Sequence, residues 1–114
     1  MQDTRPLLLE TDFPAITRDR LETLQVNLGY LCNISCTHCH VNAGPTRTEL
    51  MDSETLSLVL DFARERNVST LDLTGGSPEM NPGFCNLVRA ARVMDINVMD
   101  RCNPTILVEP GYED

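Results

Sequence analysis

From Thr23 the chain alternates in character: Leu24, Val26, Leu28 and Tyr30 are separated by Gln25, Asn27 and Gly29. A period of two predicts a strand with one apolar and one polar face. A loop rich in Cys, His and Asn follows and closes at Gly44-Pro45. Asp52 or Ser53 can cap the next helix, in which Leu56, Val59, Leu60 and Ala63 fall at i, i+3, i+4 and i+7. That spacing is a buried helical stripe, and Asn67 is its stop. Thr70–Thr74 reads as a short strand running into the turn Gly75-Gly76-Ser77-Pro78. Asn81-Pro82 predicts a cap and a first-turn proline for a second helix with the stripe Phe84, Leu87, Val88 and Ala91. Ile96–Cys102 reads as a third strand, ended by Asn103-Pro104.

The order β-α-β-α-β predicts an α/β fold with parallel strands. Sites in such folds are built at the carboxyl ends of the strands. The cysteine loop, the Gly-Gly turn and Cys102-Asn103 all fall on that edge. Residues 1–22, mixed in polarity and broken by Pro6 and Pro14, read as a lead-in segment with a short helix. Residues 23–114 read as the core.

Composition narrows the field. The 114 residues suffice for one small domain, with 41% apolar and 23% charged residues, as in an ordinary globular protein. Nine arginines against 17 acids give a net charge of −8, which argues against nucleic acid and against an anionic membrane surface as partners. No apolar run reaches the ~20 residues of a membrane span, and Leu7-Leu8-Leu9 is too short for a signal peptide. The expected location is the cytoplasm.

Five cysteines stand at 32, 36, 39, 85 and 102. An odd count with no secretory leader argues against a disulfide framework, so three within eight residues read as a metal or redox site. Cys32, Cys36 and Cys39 can wrap a [4Fe–4S] cluster while leaving one iron open. Zinc is the main rival. Structural zinc wants four ligands, commonly two separated pairs, and here only His40 is at hand as a fourth. Unligated thiols are the third reading.

C-x3-C-x2-C after the first strand, with a Gly-Gly turn after the second, resembles the radical S-adenosylmethionine (SAM) enzymes. Gln25-Val26-Asn27, Cys39-His40-Val41, Gly44-Pro45, Thr74-Gly75-Gly76, Pro78-Glu79 and Asp100-Arg101-Cys102-Asn103 together resemble the arsenosugar-biosynthesis members of that family. The resemblance implies that Cys32, Cys36 and Cys39 each ligate one iron of a [4Fe–4S] cluster. The fourth iron would chelate S-adenosylmethionine. One electron would then release a 5′-deoxyadenosyl radical, which is joined to a methylated trivalent arsenical. His38, Gly75, Gly76, Ser77 and Asn103 would lie on the cofactor side. His38 takes a place where the family often has an aromatic residue, and Ser77 one where it commonly has Glu. Cys102 is a candidate thiol for the soft arsenic centre, with packing as its other reading. The partners implied are a small-molecule substrate and a one-electron donor.

A full β/α barrel takes about 250 residues in eight units, roughly 30 per unit. The resemblance implies a partial barrel of six such units, so the chain is expected to be the N-terminal βαβαβ portion of a partial (β/α)6 barrel, truncated before its C-terminal half. Two other functions fit the residues: a small iron–sulfur electron carrier, or a zinc-stabilised interaction module without catalysis. Cys85 reads as a packing residue and His40 as a loop hydrogen-bonding residue. Asn27, Asp72 and Thr74 lie on polar strand faces, while Glu54, Asp61 and Glu65 form a solvated helix face.

Overall fold

The computed structural model describes residues 3–9 and 11–112. Positions 1, 2 and 10 of the lead-in and 113–114 of the core lie outside the described residues. A short helix α1 (Arg5–Leu9) buries none of its side chains. The folded unit consists of β1 (Thr23–Asn27), α2 (Ser53–Glu65), β2 (Thr70–Thr74), α3 (Phe84–Val93) and β3 (Asn97–Asp100). The strands form one parallel sheet in the order β1-β2-β3. This is the α/β architecture expected from the sequence.

Register explains which residues meet. Leu24, Leu71 and Val98 align across the sheet, as do Val26, Leu73 and Asp100. These rows face the helices. Val26, Leu71 and Leu73 pack with Leu56 and Ala63 of α2 and Leu87 and Ala91 of α3 into one buried core. The alternate row, Gln25, Asp72 and Met99, lies on the face away from the helices.

Both helices end by the same device. Asn67 (φ 51°) and Asp95 (φ 59°) adopt left-handed backbone. The following amides, Val68 and Ile96, donate back to Ala63 and Ala91 at 2.9 and 3.0 Å. That six-to-one bond is the mark of a Schellman stop, and each stop delivers a buried aliphatic residue into the core. At the start of α2, Asp52 caps the Thr55 amide at 2.8 Å.

Three boundaries differ from the sequence pattern. β1 ends at Asn27 rather than Tyr30, because Gly29 (φ 145°) turns the chain to bridge antiparallel to Leu50. β3 covers four residues and stops before Cys102. Asn81 does not cap α3; Gly83 holds that position. Instead, Asn81 is buried, with Nδ2 donating to the carbonyls of Leu28 and Met51 at 2.9 Å each and Oδ1 accepting from Gly83 N at 2.8 Å. One amide side chain thus joins the end of β1, the entry to α2 and the start of α3.

Candidate functional site

The cysteine loop leaves the carboxyl end of β1 and is braced at its base. Tyr30 N donates to Glu49 O at 2.9 Å, and Gly44 N to Tyr30 O at 3.0 Å. Arg47 pairs with Glu49, donates to Asn42 O at 2.6 Å and lies 4.7 Å from the centre of the Tyr30 ring. The Arg47 guanidinium holds the Glu49 carboxyl down at about 2. The loop therefore starts from a fixed backbone frame.

Within that frame, Cys32 is buried, Cys36 exposed and Cys39 half-buried. The Cys39 thiol sits below its ordinary pKa, first because the Ala43 amide donates to Sγ at 3.4 Å and then through the Val41 amide. Such backbone donors favour the thiolate, the form that ligates metals. Among the described residues, Cys32, Cys36 and Cys39 are not drawn within 4.8 Å of one another. Tetrahedral zinc would hold thiolates about 3.8 Å apart, given Zn–S bonds of about 2.3 Å. The donor set is three free thiols on one loop, with Cys39 favoured as the thiolate, which is the ligand chemistry that an iron–sulfur core takes.

The Gly75-Gly76 turn packs directly on this loop. Gly76 N donates to Gly29 O at 3.0 Å, and Ser77 N to Leu31 O at 2.9 Å. Gly75 has φ 140°, and a Cβ on it would lie 2.5 Å from Gly29 O. A Cβ on Gly76 would collide with Leu31 O and stand 3.0 Å from Cys32 Cβ. The glycines thus permit close approach to the cysteine loop's own backbone.

Three of the expected site residues converge. The Ser77 hydroxyl lies 3.3 Å from Cys32 Sγ, and Asn103 Nδ2 lies 3.7 Å from the same sulfur. Asn33, a residue the sequence pattern did not single out, ties them: its Oδ1 accepts from Asn103 Nδ2 at 3.0 Å and its Nδ2 donates to Thr105 Oγ1 at 3.0 Å. Asn103 also caps the 3-10 turn Pro104–Val108 by accepting from Thr105 N at 3.3 Å. His38 is exposed on the loop, apart from this group.

The sheet face away from the helices is polar beside the loop. Gln25, Asn27, His40, Thr74 and Arg101 line a cavity of about 320 Å³. Asp72 is buried there, held by Arg101 through Nε and Nη2 at 2.8 Å each and by Gln25 Nε2 at 2.8 Å. Arg101 first and Gln25 second hold its carboxyl below the usual range. Cys102 is not part of this face. Its side chain points to the helix side, into a cavity of about 610 Å³ that Glu79 and Asp100 share.

The site thus joins a three-cysteine loop after β1, a glycine turn docked on it after β2 and an Asn after β3, in an α/β protein. A family model described as the radical SAM superfamily matches residues 26–111, and the chain belongs to that superfamily. Radical SAM enzymes use a [4Fe–4S] cluster and S-adenosylmethionine. Over 88 residues the chain is 27% identical to a "Probable GTP 3′,8-cyclase" of Sulfurisphaera tokodaii, covering 77% of this chain and 28% of that protein. A protein of the same name from Saccharolobus solfataricus is 31% identical over 72 residues, 63% of this chain and 23% of its own. YydG of Bacillus subtilis, named for peptide biosynthesis, is 38% identical over 56 residues, 48% of this chain and 18% of its own. The chain spans less than a third of the length of these curated relatives. Among the described residues, no helix is long and apolar enough to cross a membrane.

Proposed function

We propose that this chain is the cofactor-binding part of a radical SAM enzyme, with Cys32, Cys36 and Cys39 as the ligands of a [4Fe–4S] cluster. The observation that carries the reading is the convergence of Ser77 and Asn103 on Cys32, from the ends of two neighbouring parallel strands. When bound, the cluster supplies one electron that splits the sulfonium C–S bond of S-adenosylmethionine.

The chain's own residues set the conditions for that step. Amides at 41 and 43 stabilise the Cys39 thiolate, and the Ser77 hydroxyl is placed to donate to the Cys32 sulfur. Hydrogen bonds to ligand sulfurs stabilise the reduced state of such clusters. The carbonyls of the Gly75-Gly76 turn accept from the ammonium of the methionyl group, and the His38 ring offers a stacking surface for adenine. The polar cavity of Gln25, Asn27, His40, Thr74 and Arg101 is the substrate side.

The matched relatives are named for different activities, GTP cyclisation and peptide biosynthesis, so the shared segment carries cofactor chemistry rather than substrate choice. The motif set shared with arsenosugar-biosynthesis members favours a methylated trivalent arsenical as the acceptor of the 5′-deoxyadenosyl group. The acceptor is tested on the anaerobically reconstituted protein with S-adenosylmethionine, a reductant and a dimethylated trivalent arsenical. Mass spectrometry should find an arsenic-linked 5′-deoxyadenosyl product. Free 5′-deoxyadenosine alone, with the arsenical unconsumed, would overturn the arsenical reading.

A further inference from the structure

On the helix side of the sheet, Glu79, Asp100 and Cys102 bring two carboxylates and a thiol together. All three ligand atoms lie within 4.8 Å of one another, the one such group among the described residues. They come from separate segments: the 3-10 turn Pro78–Met80, the last residue of β3 and the residue two beyond it. Asp100 stands in the row of Val26 and Leu73, where the strand pattern calls for an apolar residue.

The group has unmet electrostatic demand. Both Glu79 carboxylate oxygens are shut off from solvent and have no hydrogen-bond partner. Asp100 and Cys102 can serve Glu79 as donors only while they keep their own protons. Partial burial and then the Glu79 charge push Asp100 up to about 6, and the adjacent Glu79 carboxylate, followed by burial, pushes Cys102 up to about 11. A carboxylate shut off from water, as that of Glu79 is, needs a proton or a cation beside it. An apolar wall of Phe84, Ile106, Leu107 and Tyr112 backs the cavity. Asp100 and Cys102 remain reachable from solvent.

We propose that Glu79, Asp100 and Cys102 bind one divalent transition metal of the zinc type, at a site separate from the cysteine loop. One thiolate with two carboxylates suits a borderline-soft ion, and a water from the cavity completes four-coordination. Zinc–sulfur and zinc–oxygen bonds of about 2.3 and 2.1 Å require donors about 3.5 Å apart. The surface positions of Asp100 and Cys102 let them close by that amount. The ion crosslinks the turn carrying Ser77 to the segment carrying Asn103, the two residues that flank Cys32. The assignment does not depend on what the cysteine loop holds.

The test uses the 114-residue chain with Cys36→Ser and Cys39→Ser, which removes the competing loop site. Cobalt(II) is the probe, added under anaerobic, reducing conditions. One cobalt per chain should bind, give a sulfur-to-cobalt charge-transfer band in the near ultraviolet, and be displaced by zinc. Cys102→Ser should remove the band, while Cys85→Ser on the same cavity should keep it. Glu79→Gln and Asp100→Asn should each weaken binding about tenfold or more, with far-ultraviolet circular dichroism verifying the fold. Zinc should raise Tm of the double-serine chain and leave that of its Glu79→Leu version unchanged. No cobalt bound at millimolar concentration would mean that the two carboxylates and the thiol share protons only. A band that survives Cys102→Ser would place the metal elsewhere. Either result overturns the proposal.

Discussion

Replacing Gly76 by Ala tests whether the glycine turn holds the cysteine loop in place. The added Cβ would collide with Leu31 O and stand 3.0 Å from Cys32 Cβ. Both neighbours belong to the loop's base, so relief requires the turn to lift from the loop. Two backbone bonds are then at risk, Gly76 N to Gly29 O at 3.0 Å and Ser77 N to Leu31 O at 2.9 Å, along with the Ser77–Cys32 contact. At about 1 kcal/mol net per bond plus the cost of leaving buried partners unpaired, the loss is about 2–3 kcal/mol. That is a large share of the 5–15 kcal/mol typical of a domain. The assay pairs urea unfolding of the metal-free, reduced chain with iron content after anaerobic reconstitution. Both should fall. Gly111→Ala is the control: it carries left-handed strain at φ 93° but meets nothing within 4 Å. It should cost some stability and leave iron content unchanged. A Gly76→Ala chain with parental stability and full iron would refute the packing argument.

Other consequences can be checked on the same chain. Asn81→Ala removes the Nδ2 donor from the Leu28 and Met51 carbonyls and the Oδ1 acceptor from the Gly83 amide, while Leu28 O keeps its bond from Met51 N at 3.0 Å; it should cost about 2 kcal/mol in urea melts, and a loss under about 0.5 kcal/mol would show that water replaces the side chain. Asp100 has its folded pKa raised to about 6 against about 4 in an unfolded chain, so its stabilising contribution is present below pH 4 and lost as pH rises to 6. With a chelator present, thermal stability should fall across that window, and Asp100→Asn should remove the slope. Cys32→Ala, Cys36→Ala and Cys39→Ala should each abolish stable iron binding, whereas Cys85→Ala should keep about four irons per chain.

The helices were legible because their burial is one-sided and periodic, and β2 because Leu71 and Leu73 alternate with polar residues. Leu56 and Ala63, like Leu87 and Ala91, lie on the buried stripes that the spacing marks. The convergence at Cys32 was legible only in part. Ser77 and Asn103 follow strand ends that topology brings to one edge, but nothing in the local sequence shows that Asn33 links them. Asn81 was misread because an Asn before Pro is a strong local cap signal, and its side chain instead satisfies carbonyls 30 and 53 positions away. Gly29 ended β1 early through backbone geometry that a period-two pattern does not encode. A signal for the Glu79–Asp100–Cys102 group was present: Asp100 interrupts the apolar alternation of Ile96 and Val98. A single break in a short strand is weak evidence until the register shows it beside Leu73.

The central claim is that Cys32, Cys36 and Cys39 hold a cluster with one iron open to S-adenosylmethionine. Its most direct test is electron paramagnetic resonance of the anaerobically reconstituted, reduced chain, recorded without and then with S-adenosylmethionine. The account predicts a [4Fe–4S]+ signal whose g-values shift when S-adenosylmethionine is added. It also predicts that the signal is absent from the Cys36→Ala chain. A cluster signal unchanged at saturating S-adenosylmethionine would contradict the account, as would no uptake of iron with zinc bound in a form that Cys36→Ala and Cys39→Ala abolish.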